Sequence, residues 1–162
     1  ILICYSVLGS ILALSFSLLF PPTTGGIFMN SALQKGDIGE YVCAICLLEM
    51  GVNCKIVNVD ATDILATINN KFVRIQVKSS YYHYRNDVKN GTPFYRFSTA
   101  KGKNKTPITK EHCDIVALVA LDIKKTIFCV PFNKSSAKYL RPKFLVPNVE
   151  KDTWNKCLSK IK

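Results

Sequence analysis

The first part of the chain contains no charged residue. The chain has 162 residues, and all 22 Lys and Arg and all 11 Asp and Glu lie from Lys35 onward. The net charge of +11 therefore belongs entirely to the later part. A surplus of that size in a small domain favours a polyanionic partner, through phosphate neutralisation and counterion release. Solubility and attraction to an anionic membrane surface are competing explanations of the same charge.

The chain also lacks the patterns of disulfide frameworks, zinc sites and nucleotide-binding loops. Its seven cysteines are odd in number, and most stand in apolar runs, where Cys behaves as a small hydrophobe. Cys43 and Cys46 form a CxxC pair, but no second CxxC or His pair completes a zinc set. No P-loop motif, internal repeat or low-complexity segment occurs. We therefore expect reduced core cysteines in a cytoplasmic protein.

Residues 63–78, DILATINNKFVRIQVK, predict two strands joined by a tight turn. The first six are apolar and β-rich, and Asn69 and Asn70 form a turn pair, since Asn tolerates left-handed backbone angles. The segment after the turn alternates, so it has an apolar face and a polar face. The apolar face comprises Val73, Ile75 and Val77, and the polar face comprises Arg74, Gln76 and Lys78. Asp63, Gln76 and Lys78 are polar, so this side of the hairpin is poorly suited to a hydrophobic core. An acid, an amide and a lysine are well suited to bind a metal ion beside a phosphate.

The segment before this hairpin predicts a helix. Asn30 and Ser31 are N-cap candidates, helical spacing continues to Met50, and Gly51 fits a C-terminal stop. An apolar stripe is expected to face the core, with Glu40 near its polar border. The stripe comprises Leu33, Tyr41, Ile45 and Leu48.

The hairpin carries a resemblance to a known family. Asp63 followed by Gln76, Val77 and Lys78 resembles the core of the PD-(D/E)xK nucleases, in the variant in which Gln replaces the second acid. The segment KGDIGEYVCAICLLEMG resembles the first helix of that superfamily, with Glu40 at its acidic position. The segments FYRFSTAKGKNKTPIT and CDIVALVALDIKKTIFCVP resemble the later part of small PD-(D/E)xK endonucleases related to a group I intron homing endonuclease that also uses QxK. The resemblance covers about residues 34–131; the Pro that often precedes the acid is absent.

The resemblance implies an α/β fold with a restriction-endonuclease-like core, a mixed central β-sheet flanked by α-helices. It implies a metal-dependent DNA endonuclease of homing or restriction type, with Mg²⁺ as cofactor and Mn²⁺ as a substitute. The implied metal ligands are Asp63, the side-chain oxygen of Gln76 and the main-chain carbonyl of Val77. Lys78 would orient or deprotonate the attacking water, and Glu40 would bind metal through water or position Lys78. The implied catalytic residues are thus Glu40, Asp63, Gln76 and Lys78.

Basic residues around this core are candidate DNA contacts, although a solvated loop is the competing interpretation for charge runs. The candidates are Arg74, Arg85, Arg96, Lys101, Lys103 and Lys105. Asp60 is interpreted as a loop acid, and His112 and Asp114 as supporting residues of the following strand. That strand, residues 114–122, is nearly all apolar and is predicted to be buried on both faces, with residues 126–131 as its hairpin partner. Residues 52–59 and 94–98 predict further strands, and residues 149–162 a closing helix.

The apolar run of residues 1–20 is long enough to cross a bilayer as a helix. It can be a membrane anchor, a signal segment that lacks the usual positive start, or a stretch outside the natural protein. We favour the third interpretation, with an anchor second, because the chain begins with Ile and Met29 precedes the first residues that resemble the family. On this interpretation residues 1–28 are an apolar leader and residues 29–162 one endonuclease domain. A membrane is a partner only if residues 1–20 are a real anchor.

Two alternatives to a homing or restriction enzyme remain open at this point. One is a non-catalytic DNA-binding module on the same fold, because Gln in place of an acid also suits a decaying metal site. The other is a Holliday-junction-resolving nuclease, which would share the same active site. Since one small domain carries one site, cutting both strands of a duplex favours a homodimer or homotetramer.

Overall fold

The computed structural model of the protein describes residues 32–83, 93–101, 105–131 and 137–161. They belong to one compact unit, Ser31–Lys162. The expectations for residues 1–28, for Arg85 and for Lys103 lie outside the described residues. The helices are α1 (Ala32–Glu49), a short 3₁₀ helix (Pro142–Phe144) and α2 (Val149–Leu158). The strands are β1 (Asn53–Val59), β2 (Thr62–Ile68), β3 (Lys71–Ser80), β4 (Tyr82–His83), β5 (Phe94–Ser98), β6 (Ala100–Lys101), β7 (Thr106–Pro107), β8 (Ile115–Ala120), β9 (Lys125–Cys129) and β10 (Ala137–Leu140).

The predicted hairpin forms the middle of the main sheet. Asn69 and Asn70 join β2 to β3 with φ angles of 49° and 60°, the left-handed pair that a two-residue turn between strands requires. The sheet has the order β1-β2-β3-β8-β9, with β3 and β8 parallel and every other pair antiparallel. The mixed central sheet is therefore confirmed.

Strand β8 is buried on both faces, as its continuous apolar sequence predicts. On one face Ile115, Ala117 and Val119 join a core cluster that includes residues of both long helices. On the other face Val116 and Leu118 join a second cluster, which packs beneath the three-stranded sheet β10-β5-β4. Both long helices thus flank one face of the main sheet, and the small sheet covers the opposite face.

The predicted apolar stripe of α1 is wrong. Leu33, Tyr41, Ile45 and Leu48 are exposed, with relative accessibilities of 80%, 64%, 54% and 55%. The helix instead buries Gly39, Cys43 and Leu47. The physical reason at Gly39 is that a residue without a Cβ allows the helix backbone to lie close to Ser79 of β3. Gly51, at φ +77°, ends the helix region as predicted.

The closing helix packs on β9 through an edge-to-face ring contact. The ring centroids of Trp154 and Phe128 lie 5.0 Å apart, and both side chains are buried. The helix ends at Leu158, earlier than the sequence indicates.

The six described cysteines are free thiols, buried or half-buried, in agreement with the expected core role. Burial raises the pKa of Cys113 and Cys129 to about 12, so both remain protonated at neutral pH. Within the described part of the chain, no helix combines the length and the apolarity that a membrane span requires.

Candidate active site

Asp63 lies where β2 and β3 stop pairing. The last paired residues of that ladder are Ile64 and Ile75, so the main chain of β3 beyond this pair has no main-chain partner on β2. The Asp63 carboxylate takes the place of that partner. Its Oδ2 accepts the main-chain N–H of Val77 over 2.6 Å and also accepts the side-chain amide Nε2 of Gln76. The acid, the amide and the main chain of the predicted motif therefore meet at one point.

The main-chain carbonyl of Val77 points to the same side of β3 as this carboxylate. The carbonyls of Arg74 and Ser80 accept hydrogen bonds from Asp114 and Leu121, at the two ends of β8. Successive residues of a strand direct their main-chain groups alternately to its two sides. The N–H and C=O of Val77 are thus directed away from β8, as the bond from its N–H to Asp63 shows.

Glu40 on α1 is the second acid near this point. Burial, followed by the negative charge of Asp63, raises the pKa of Glu40 above its ordinary value of 4.5. A hydrogen bond with the Asn58 side chain and the positive charge of Lys78 oppose the shift. Glu40, Asp63 and Lys78 therefore lie close enough to interact electrostatically. Lys78 is half-buried and two residues beyond Gln76 on β3, so both side chains lie on the same face of that strand.

Arg74, on the polar face of the same strand, points elsewhere. Its guanidinium donates to both carboxylate oxygens of Asp114, with Nη2 to Oδ1 at 3.0 Å and Nε to Oδ2 at 3.3 Å. It also donates to the carbonyls of Glu111 and Lys110, at 2.9 and 3.1 Å. Most of its donors are therefore used inside the protein, where they tie β3 to the segment before β8. Asp114 has the supporting role expected of it.

The other sequence candidates lie on several different elements. Asp60 is exposed in a turn at φ 52°, and it is Asp63 that bonds Gln76. His112 bonds Thr109 through Nδ1. Arg96 is exposed on β5, Lys105 is exposed before β7, and Lys101 lies in β6.

Sequence reasoning missed two contributors to the site. Asn58, which bonds Glu40, sits at φ 50° in an irregular part of the β1–β2 pairing. An Asn in a segment that otherwise reads as a strand was the available signal, because Asn favours left-handed angles. The contact of Gly39 with Ser79 was also missed. A glycine in the middle of a predicted helix was the signal there.

The donors at this point suit a hard divalent cation. Among residues 32–83, 93–101, 105–131 and 137–161, no three His, Cys, Asp or Glu side chains gather in a way that could hold a metal ion. A metal site here must therefore draw on amide or main-chain oxygens as well as carboxylates. The Asp63 carboxylate and the Val77 carbonyl satisfy that condition, and a half-turn of the Gln76 amide exchanges its nitrogen for an oxygen. Oxygen donors of these kinds are the ones Mg²⁺ prefers.

Comparison with known proteins finds a similarity in fold. The protein is similar to the solved structure of a bacterial homing endonuclease, I-Ssp6803I, with a TM-score of 0.57 and 17% sequence identity. The match covers 82% of this chain and 95% of that chain. No family model and no curated protein matches the chain. The chain thus has a nuclease-like fold.

Proposed function

We propose that the protein is a metal-dependent DNA endonuclease of the PD-(D/E)xK superfamily in its QxK variant. The observation that carries the proposal is the meeting of Asp63, Gln76 and the main chain of Val77 at the point where β2 and β3 separate. Glu40 and Lys78 lie within electrostatic reach of that point. The fold shared with a homing endonuclease supports the same conclusion.

In this proposal Mg²⁺, with Mn²⁺ as a substitute, is held by Asp63, the amide oxygen of Gln76 and the carbonyl of Val77. Such an ion lowers the pKa of bound water and relieves the charge on the scissile phosphate. Gln76 is a neutral ligand, so we expect weaker metal binding than a second acid would provide. The hydrogen bond from the Val77 N–H to Asp63 Oδ2 keeps the carboxylate directed along the edge of β3, and it is retained when the Gln76 amide turns its oxygen to the ion.

Lys78 and Glu40 act on the nucleophile in this proposal. Lys78 carries a positive charge beside the carboxylates, where it can orient the attacking water and neutralise phosphate charge. Glu40, whose pKa is raised by burial and by Asp63, holds its proton more tightly than an ordinary glutamate and is suited to exchange a proton with the attacking water or to position the Lys78 ammonium group. Asp63 and Lys78 both act electrostatically on Glu40, which supports a shared site for the three residues.

DNA is the proposed substrate on grounds of charge. The net charge of +11 favours a phosphate backbone as partner. Arg96 and Lys105 are exposed and available for backbone contacts. Because the described residues form one such site, we expect double-strand cleavage to use two copies, and we extend the proposal to a homodimer or homotetramer.

The test is plasmid cleavage with Mg²⁺, with Mn²⁺ and with EDTA, comparing Asp63→Asn with Asp60→Asn. Both substitutions remove one carboxylate charge, and Asn tolerates the left-handed angle at position 60. We expect metal-dependent cleavage by the parent and by Asp60→Asn, and none by Asp63→Asn. DNA binding should survive in both variants, because neither substitution changes a basic residue.

Cleavage that persists in Asp63→Asn would overturn the site assignment. A folded parent that binds DNA but cuts neither plasmid nor a four-way junction, with either metal, would support the non-catalytic binding module instead. Preferential cutting of the junction would support the junction-resolving alternative.

A further inference from the structure

Gly39 lies in the middle of α1, at its closest approach to β3. The residue is buried, and a Cβ placed on it would lie 2.6 Å from Cβ and 3.1 Å from Oγ of Ser79. Ordinary contacts of this kind begin at 3.4 Å, and Cβ atoms essentially never approach another heavy atom within 3.0 Å. No residue with a side chain can therefore occupy position 39 unless the helix or the strand shifts.

Ser79 cannot relieve this contact by rotating its side chain. Its Cβ is attached directly to the main chain of β3, which is paired with β8 at this position. Its Oγ donates to the Lys35 carbonyl over 2.8 Å, one helical turn before Gly39. Ser79 therefore makes two contacts with α1: a hydrogen bond to Lys35 and a close van der Waals approach to Gly39.

The residues adjacent to this contact belong to the proposed active site. Glu40 follows Gly39 on α1, and Lys78 precedes Ser79 on β3. The same missing Cβ would also lie 3.6 Å from Val77 Cγ1, and the N–H of Val77 is bonded to Asp63. The spacing between helix and strand at this one point therefore sets the distance from Glu40 to the other site residues.

We propose that Gly39 is a positioning residue whose missing side chain sets the α1–β3 spacing and so brings Glu40 to Asp63 and Lys78. Its role in cleavage rests on the proposed function, whereas the spacing does not. If α1 lay about 1 Å farther from β3, Glu40 would stay on the same helix face but would be too far from Asp63 and Lys78. Misplacement of that size costs on the order of 100-fold in rate for a catalytic constellation.

Four variants separate this role from a general effect of changing a helical glycine. Gly39→Ala introduces the clash. Gly36→Ala is the matched control, because it lies one turn earlier in α1 and a Cβ there meets nothing within 4 Å. Ser79→Gly removes the Cβ and Oγ that would clash, and the double variant Gly39→Ala/Ser79→Gly relieves it. Since Ala favours helix more than Gly does, Gly36→Ala should not weaken the helix.

In cleavage assays we expect Gly39→Ala to lose on the order of 100-fold in rate. Gly36→Ala should match the parent, and the double variant should recover the rate of Ser79→Gly alone. Parent-like cleavage by Gly39→Ala would overturn the proposal. So would a folded double variant with no recovery.

A second readout does not depend on activity: the titration of the Glu40 carboxyl followed by NMR in protein labelled with ¹³C-glutamate. Standing the helix off reduces both burial and the influence of Asp63, so the pKa of Glu40 should fall toward 4.5 in Gly39→Ala. It should return to the parent value in the double variant and stay unchanged in Gly36→Ala. If the parent cuts no DNA, the proposed function fails, yet this titration still decides the positioning role. An unshifted titration in folded Gly39→Ala would overturn it.

Should Gly39→Ala fail to fold, the double variant and Ser79→Gly decide the question. A double variant that folds shows that the clash with Ser79 caused the failure. A double variant that stays unfolded while Ser79→Gly folds would overturn the proposal.

Discussion

The carboxylate of Asp114 holds both the guanidinium and the main-chain N–H of Arg74. The main-chain nitrogen of Arg74 lies 2.8 Å from Asp114 Oδ2, and the carbonyl of Arg74 accepts the N–H of Asp114 over 2.9 Å. This exchange closes the start of the parallel pairing between β3 and β8, two residues before Gln76. The hydrogen bond between the Arg74 guanidinium and the Asp114 carboxylate raises the pKa of Arg74. Arg74 therefore serves the sheet, and the proposed DNA contact competes with its internal bonds.

We predict that Arg74→Ala lowers the free energy of unfolding by about 1–2 kcal/mol, measured by urea denaturation. The value is modest because the two side chains are 40% and 26% exposed, so water screens the pair. Arg96→Ala is the matched control: it removes the same charge from an exposed site on β5 and should leave stability unchanged. DNA affinity should fall in Arg96→Ala and hold in Arg74→Ala, and the reverse pattern would contradict this assignment.

We predict that Lys78→Met lowers the single-turnover cleavage rate by about 100-fold or more, with DNA affinity nearly unchanged. Met keeps the length of the side chain and removes the charge beside Asp63 and Glu40. Lys71→Met, at the other end of β3 and exposed beside the turn, supplies the same chemical change away from the site. Equal rate losses in the two variants would mean that Lys78 contributes only general positive charge.

We predict that Gln76→Glu destabilises the metal-free protein and makes its stability respond more strongly to Mg²⁺. Gln76 is 7% exposed and donates to Asp63, so a glutamate there buries a second carboxylate against the first. Like charges at that separation raise the pKa of one group and cost about 2 kcal/mol or more unless a cation lies between them. Melting temperatures in EDTA and in Mg²⁺ measure the effect.

The control for Gln76→Glu is the double variant with Asp63→Asn, which removes the repulsion and should restore stability in EDTA. A single variant that is as stable as the parent in EDTA, with the same response to Mg²⁺, would refute this account of the pair.

We predict that the stability of the metal-free protein falls as pH rises through the titration of Glu40. The raised pKa means that the native state holds this proton more tightly than the unfolded chain does. The free energy of unfolding therefore declines from the ordinary value of 4.5 up through the raised one, and the loss persists above it. Urea denaturation in EDTA between about pH 4 and pH 7 measures the slope. Glu40→Gln should flatten this decline.

The matched control for the pH prediction is Glu49→Gln, which removes an exposed glutamate from the same helix. If both variants change the pH slope equally, the effect belongs to net charge and not to the environment of Glu40.

The hairpin was predictable because its information is local. Asn69 and Asn70 specify the turn, and strict alternation specifies which side chains of β3 share a face. The continuous apolar run of β8 likewise predicted a strand buried on both faces, because a polar side chain on either face would lose its water. These features depend on the preferences of neighbouring residues and survive whatever packs around them.

The face of α1 was not predictable from hydrophobicity. Its large apolar side chains suggested one stripe, but Gly39, Cys43 and Leu47 face the sheet. The deciding factor is distance: α1 lies so close to β3 that position 39 has no room for a Cβ, a constraint set by Ser79, which is forty residues away in sequence.

The motif of Asp63, Gln76 and Lys78 could be recognised in the sequence, but its geometry depends on the pairing of strands. Asp63 bonds Val77 because the β2–β3 ladder ends at Ile64 and Ile75. The conformational preferences of neighbouring residues do not determine where a ladder ends. Arg74 belongs by alternation to the same polar face, yet Asp114 draws it toward β8. Residue types and their order therefore suggested the proposed chemistry. The three-dimensional packing of strands that are distant in sequence decided which side chains are free to perform it.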